Sequence, residues 1–174
     1  MIYLLIAIVL VVAFFLVLGL TGPTDFSIVR QADYRATPQA VFGQINDFHH
    51  WAAWSPWEKM DPALQRNYSG PTSGVGAKYA WVGNKKVGEG NMEITHSEPN
   101  TSLLLDLQFL KPFQADNVTE FTVLPKGDLT TLKWEMRGRR PFFIRMMRLF
   151  MDMDKMVGKD FETGLANLRG VVEK

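Results

Sequence analysis

The sequence predicts an α+β protein in which a curved antiparallel sheet wraps around a long C-terminal helix, behind a single N-terminal transmembrane helix. Three observations predict this class. The first 20 residues are apolar and uncharged, the middle of the chain alternates between apolar and polar residues, and the end is amphipathic at helical spacing. With 174 residues, 47% hydrophobic and 21% charged, the chain has the length and composition of one folded domain, which excludes a disordered protein.

The N-terminal segment is long enough to cross a bilayer. Its apolar residues run from Ile2 to Leu20, interrupted only by Gly19. A helix of this length at 1.5 Å per residue reaches about 30 Å, the thickness of the hydrocarbon core. We expect a transmembrane anchor over residues 1–20 and a linker over residues 21–25. A cleaved signal peptide and a buried core helix are the alternatives, and no flanking charge indicates which side of the membrane the domain faces.

Composition argues against several classes of function. A formal net charge of +1 without a recognition motif speaks against nucleic-acid binding. The absence of cysteine excludes disulfides, a thiolate zinc site and a cysteine nucleophile. The three histidines (His49, His50 and His96) lack the spacing of metal ligands. We therefore expect no metal and no cofactor, and the sequence identifies no catalytic group.

The first elements after the linker are a strand and a short helix. Residues Phe26 to Tyr34 alternate between apolar and polar, as a half-buried strand does. Thr37 and Pro38 are then typical of the N-cap and first position of a helix.

An irregular aromatic segment follows over residues 48–60. Its tryptophans, Trp51, Trp54 and Trp57, are spaced by three, while Pro56 prevents a long helix. The tryptophans line a pocket mouth, contact lipid headgroups, or form a small aromatic cluster that closes one end of the core.

Residues Leu64 to Met136 predict a meander of antiparallel strands. Glycine, proline and asparagine pairs interrupt this stretch about every ten residues, and no long helix separates the segments. The alternation predicts one apolar face and one wet face. The predicted apolar face comprises Tyr79, Trp81, Met92, Ile94, Leu103, Leu105, Leu107, Phe109, Phe121, Val123, Leu132, Trp134 and Met136.

The last segment predicts a helix of about thirty residues that begins at Pro141. Apolar residues recur along it at helical spacing: Met146, Phe150, Met153, Val157, Phe161, Leu165 and Leu168. Such a helix should cover the apolar face of the sheet. Because side chains do not fill the concavity of a strongly bent sheet, we expect a space between the two.

Three stretches carry a resemblance to a known family. They are Trp51-Ala-Ala-Trp54-Ser-Pro-Trp57-Glu-Lys-Met60, the glycine-rich run from Gly70 through Gly76 to Trp81-Val-Gly-Asn84 and Gly88-Glu-Gly90-Asn-Met-Glu-Ile94, and Phe150 to Leu165. The chain resembles the START-like, or SRPBCC, superfamily, and within it the polyketide cyclase/dehydrase and lipid-transport branch. The resemblance covers about residues 26–173 and implies the helix-grip fold with a hydrophobic pocket, in a domain over residues 26–174. It does not imply a reaction, because many functions share this scaffold.

The resulting hypothesis is a single-pass membrane protein whose cavity binds an apolar small molecule or lipid. The residues predicted to line the cavity are Tyr79, Trp81, Met92, Ile94, Leu105, Phe109, Phe121, Trp134, Phe150 and Met153. An enzyme of cyclase or hydrolase type is one alternative, and a protein-interaction module with a filled core is another. Five arginines either contact anionic headgroups or form a solvated face: Arg137, Arg139, Arg140, Arg145 and Arg148.

Overall fold

The computed structural model describes residues 1–173, so Lys174, the last residue of the expected domain, lies outside the described residues. The helices are α1 (Ile2–Thr21), α2 (Pro38–Ile45), α3 (Trp51–Trp54), α4 (Phe142–Met146) and α5 (Met153–Val172), with 3₁₀ turns at Phe48–His50 and Trp57–Lys59. The strands are β1 (Asp25–Tyr34), β2 (Gln65–Ser69), β3 (Lys78–Val82), β4 (Glu89–Glu98), β5 (Ser102–Lys111), β6 (Ala115–Lys126) and β7 (Leu129–Arg139).

The seven strands form one antiparallel sheet in the order β1-β7-β6-β5-β4-β3-β2. Strands β2 to β7 follow one another as a meander, as the turn residues predict. Strand β1 forms the edge of the sheet next to β7. The two strands pair from Asp25 opposite Arg139 to Tyr34 opposite Thr130. The end of the sheet where β1 begins is therefore also the end where β7 finishes.

The predicted apolar face of the sheet is confirmed. All of its residues are buried except Phe109, which is partly buried. Helix α2 also begins as predicted, because the Thr37 side chain accepts a hydrogen bond from the Ala40 amide at 3.3 Å.

The prediction of one continuous C-terminal helix from Pro141 is wrong. The chain leaves the helical path after Met146 and resumes it at Met153. Asp152 causes the restart, because its side chain accepts a hydrogen bond from the Lys155 amide at 3.2 Å and so caps α5. The apolar spacing continues across the break, so periodicity alone cannot reveal it.

Helix α5 lies across the concave face of the sheet and completes the helix-grip fold. Its buried side chains are Phe161, Leu165 and Leu168. The Tyr34 hydroxyl donates to the Leu165 carbonyl at 3.0 Å, which ties β1 to the helix. Burial raises the pKa of Tyr34, so this hydroxyl stays protonated and remains a donor.

Helix α1 is apolar along its whole length and long enough to cross a membrane. Only Leu18 and Gly19, in its last turns, are buried. That end of α1 packs against α4, where a Cβ on Gly19 would lie 2.7 Å from both Phe142 and Met146. The rest of α1 presents apolar side chains to its surroundings.

Candidate functional site

A cavity of about 330 Å³ lies between the concave face of the sheet and α5. Strands β3 to β7 supply its largest group of wall residues, and the first half of α5 covers it. Side chains therefore leave part of the inner face uncovered, whereas the interaction-module alternative expects a filled core.

The cavity opens at one end of the sheet. Five of its wall residues are exposed, namely Lys86, Lys111, Pro112, Phe113 and Arg139. All five lie in the β3–β4 loop, at the junction of β5 and β6, or at the end of β7. In the antiparallel register these positions share one end of the sheet, which is the end where β1 follows α1.

Seven of the ten predicted lining residues lie in the cavity wall. They are Tyr79, Trp81, Met92, Leu105, Phe109, Trp134 and Met153. Six of these come from the alternating strands, where period-two spacing places a residue on the inner face. Their contact with a ligand stays a prediction.

Ile94 and Phe121 are fully buried, but they belong to the packed core beyond the cavity. Phe121 is covered by Trp51 and Trp54, with ring centroids 5.9 and 6.4 Å away. The indole rings therefore fill the concavity at this end of the sheet.

Phe150 does not line the cavity. Its side chain is 70% exposed, and its ring contacts Phe15 of α1 with centroids 6.1 Å apart. The prediction depended on a continuous C-terminal helix. Because the chain turns between α4 and α5, Phe150 leaves the face that Met153 and Val157 share.

Two of the three spaced tryptophans, Trp51 and Trp57, line the cavity, and Trp54 packs against Trp51 in the core. Trp51 and Trp54 are buried, and their indole nitrogens donate to the carbonyls of Ile45 and Gln44 at 3.1 Å. These carbonyls lie in the last turn of α2, where the helix cannot bond them itself. The aromatic-cluster interpretation is therefore the correct one for Trp51 and Trp54, while Trp51 and Trp57 also face the cavity.

The wall also contains a buried carboxylate, Glu58, that no sequence pattern indicates. Glu58 accepts hydrogen bonds from Arg66 Nε at 2.6 Å and from the Tyr79 hydroxyl at 2.5 Å. Burial, and then the bond to Glu58, raise the pKa of Tyr79 far above its ordinary value, so the hydroxyl remains a donor. Glu58 follows Trp57 in an irregular segment, where no period predicts which side chain turns inward.

Besides Ser55, three further polar residues line the cavity inside its opening: Asn117 and Thr119 on β6, and Asp160 on α5. Alternation could have predicted the first two, because they continue the inward series of Phe121 by two and four residues. Among the described residues, Asn117 Oδ1 and the Trp134 indole nitrogen are buried without a hydrogen-bond partner. Burial raises the pKa of Asp160, which favours the neutral acid.

The histidines lie outside the cavity wall. His49 contacts Asp47 at 2.7 Å, and His50 contacts the Gly43 carbonyl at 2.8 Å. Within residues 1–173, no group of three histidine, aspartate or glutamate side chains is placed to hold a metal ion.

The five arginines do not form one cluster. Arg137 lies on the outer face of the sheet and pairs with Glu120 at 2.9 Å. Arg139 lines the cavity opening, and Arg140 donates to the Asp25 carbonyl. Arg145 and Arg148 lie beside Gly22, at the end of α1.

Several solved structures share this fold at low sequence identity. The Mll3558 protein from Rhizobium loti is 16% identical, with a TM-score of 0.64 over 84% of this chain and 96% of its own. Ginseng major latex-like protein 151 from Panax ginseng is 10% identical, with a TM-score of 0.63 over 87% of this chain and 100% of its own. Protein CV1439 from Chromobacterium violaceum is 15% identical, with a TM-score of 0.62 over 85% and 97%. At these identities the likeness shows the fold alone.

No functionally curated protein matches the chain in sequence. The model of one family, described as polyketide cyclase / dehydrase and lipid transport, matches residues 25–173. This range covers all seven strands and both C-terminal helices. The family match thus spans the curved sheet, the helix that covers it and the cavity between them. The chain belongs to the polyketide cyclase/dehydrase and lipid transport family.

Proposed function

We propose that this protein is a membrane-anchored domain that binds one apolar or amphipathic small molecule, such as a lipid with a single acyl chain. The observation that carries the proposal is the cavity between the sheet and α5, whose wall is mostly aromatic and aliphatic. The apolar surface of a ligand that enters this cavity is removed from water. This removal contributes about 25 cal/mol per Å² to the free energy of binding.

The size of the cavity limits the ligand. A volume of about 330 Å³ lies at the small end of the range of roughly 300–1,000 Å³ for ligand pockets. One acyl chain or a few fused rings fit such a space better than a whole diacyl lipid.

The polar wall residues favour an amphipathic molecule over a pure hydrocarbon. Asn117 and Thr119 lie side by side on β6, and Asp160 faces the cavity from α5. A buried polar group without a partner costs about 1–3 kcal/mol, so a ligand hydroxyl or amide that donates to Asn117 Oδ1 gains affinity. Lys86 and Arg139 at the opening would favour a negatively charged end there.

Anchoring by α1 is the second part of the proposal. Its 20 residues span about 30 Å, and almost all of its apolar side chains are exposed. Burying them in a bilayer removes this surface from water.

Binding can be measured on a shortened chain of residues 22–174. Four of the five tryptophans, Trp51, Trp57, Trp81 and Trp134, line the cavity, so an entering ligand should change tryptophan emission. A ligand at a hundredfold excess over its Kd should add about 2.7 kcal/mol to the free energy of unfolding. We expect a thermal shift from some members of a panel of fatty acids, sterols and aromatic polyketides.

Two variants in which an alanine is replaced by phenylalanine control this experiment. Ala115→Phe places a ring in the cavity wall, and Ala166→Phe places the same ring on the exposed face of α5. Ala115→Phe should abolish the thermal shift, whereas Ala166→Phe should retain it. The proposal fails if no panel member shifts the parent chain, or if both variants respond alike.

Acid–base catalysis on the bound molecule is a second candidate function. Asp160 favours it, because a carboxyl group in the cavity with a raised pKa can donate a proton. Asp160→Asn should then keep ligand binding and lose turnover of any substrate that the parent chain converts. Conversion that persists in Asp160→Asn would contradict this role.

A further inference from the structure

We propose that residues 142–151, which form α4 and the turn after it, insert into the membrane leaflet that holds the C-terminal end of α1. The cavity then opens toward the bilayer, and its ligand enters from the leaflet without crossing water. This inference rests on the proposed anchoring by α1.

The end of α1 and residues 142–151 form one packed unit. Gly19 lies so close to Phe142 and Met146 that a side chain there would collide with both. Phe150 contacts Phe15, which lies about one helical turn before Gly19 in α1. The position of α1 in a membrane therefore fixes the depth of α4 as well.

The depth follows from helix geometry. Phe15 precedes the last residue of α1, Thr21, by six residues, which is about 9 Å along the helix axis. A helix that just spans the hydrocarbon core places Phe15 about 9 Å below its edge. Phe150, in ring contact with Phe15, must then lie at the level of the acyl chains.

The side chains of residues 142–151 suit that depth. Phe142, Phe143, Leu149 and Phe150 are all exposed, and they lie within nine residues of one another. Large apolar side chains exposed together on one short segment mark an interaction surface. A bilayer can cover all of them at once, as it covers the apolar face of an interfacial helix.

Two arginines lie where phosphate groups would be. The Arg148 guanidinium and the Arg145 Cβ are next to Gly22, which directly follows α1. Within residues 1–173, Arg145 Nε is buried without a hydrogen-bond partner. Cations at the helix end, with apolar rings one to two turns deeper, match the order of an anionic membrane surface.

The same segment forms the edge of the cavity opening. Ile144 of this segment and Pro141 directly before it belong to the cavity wall. Phe113, an exposed wall residue from the β5–β6 connection, stacks on Phe143 with ring centroids 5.4 Å apart. If Phe143 lies in the leaflet, the rim of the opening touches the leaflet too.

Fluorescent labelling of the full chain in vesicles tests the depth. Because the chain has no cysteine, single substitutions provide unique attachment points for an environment-sensitive fluorophore. Phe143→Cys and Phe150→Cys report on the segment, and Leu10→Cys reports on the middle of α1. Leu124→Cys is the control, because Leu124 is as exposed as Phe143 (48% and 43%) and lies at the far end of the sheet.

The labelled chains are reconstituted in vesicles of phosphatidylcholine and phosphatidylglycerol, with and without a nitroxide on the acyl chain. We expect quenching at positions 10, 143 and 150, and none at 124. If position 10 is quenched but positions 143 and 150 are not, the inference is overturned and the anchor still stands. Absence of quenching at position 10 would overturn the anchor and the inference together, and neither result bears on ligand binding, which is measured on the shortened chain.

Discussion

The guanidinium of Arg30 lies directly against Gly158, so β1 and α5 meet at a point where the helix has no side chain. From there Arg30 pairs with Asp154 at 3.0 Å and with Glu162 at 2.7 Å, one helical turn to either side. These hydrogen bonds raise the pKa of Arg30 and lower the pKa of Asp154. Replacing Gly158 would displace the guanidinium from both carboxylates.

Gly158→Ala should lower the free energy of unfolding, although alanine favours a helix over glycine by about 1 kcal/mol. The matched control is Gly170→Ala in the same helix, where a Cβ meets open space and should stabilise. Urea unfolding of the shortened chain measures both. In an Arg30→Ala background the two glycine variants should behave alike, and a destabilising Gly158→Ala in that background would contradict the explanation.

Two aspartates of α5 should respond to pH in opposite directions. Burial raises the pKa of Asp160, so its ionisation costs stability as the pH rises above the ordinary value of 3.8. Arg30 lowers the pKa of Asp154. The Asp154 carboxylate therefore stabilises the fold above pH 3.8, and this stabilisation is lost as the pH falls through the lowered pKa. At pH 7, Asp160→Asn should raise Tm and Asp154→Asn should lower it.

Thermal unfolding at several pH values checks both variants. The difference in Tm between each variant and the parent chain should shrink toward zero in acid. For Asp160→Asn this should happen near pH 3.8, and for Asp154→Asn it should happen below that pH. A difference that is constant with pH would show that the substitution acts through packing rather than through ionisation.

Two phenylalanines near the C-terminus should differ sharply in their effect on stability. Phe161 is buried and stacks on Trp134 with ring centroids 4.0 Å apart, so Phe161→Ala should cost about 3–5 kcal/mol. Phe150→Ala should change the free energy of unfolding of the shortened chain by less than about 0.5 kcal/mol, because its ring is exposed. Comparable losses in denaturant unfolding would contradict the placement of Phe150 outside the cavity.

The full chain should remain with membranes after washing in alkaline carbonate, because α1 buries about 30 Å of apolar helix. The chain of residues 22–174 should be recovered in the soluble fraction. Mass spectrometry of the membrane-bound form should find residues 1–20 still attached. Their removal would identify the segment as a cleaved signal peptide.

Local patterns were enough to predict the sheet. On β5, Leu103, Leu105 and Leu107 face inward because successive side chains alternate, a rule that needs no tertiary information. The break before α5 escaped prediction because Met146, Phe150 and Met153 keep helical spacing across it. Asp152 is the signal that could have revealed it, since aspartate is a preferred N-cap.

The cavity was only partly predictable. Its apolar strand residues follow from alternation, and Asn117 and Thr119 would have followed from the same rule. Glu58 could not be assigned, because its inward position depends on bonds to Arg66 and Tyr79 from other elements. The contact between Phe15 and Phe150 joins residues far apart in the sequence, and periodicity carries no information about it.

The pairing of β1 with β7 also constrains how the protein is made. These partners are separated by most of the chain, since Asp25 pairs with Arg139. At synthesis rates of about 5–20 residues per second, β1 leaves the ribosome roughly 5–20 s before its partner exists. During that interval Phe26 and Ile28, both buried in the finished sheet, have no strand to cover them. The strand nearest α1 is therefore the first to be synthesised and must wait for the last strand before it can pair.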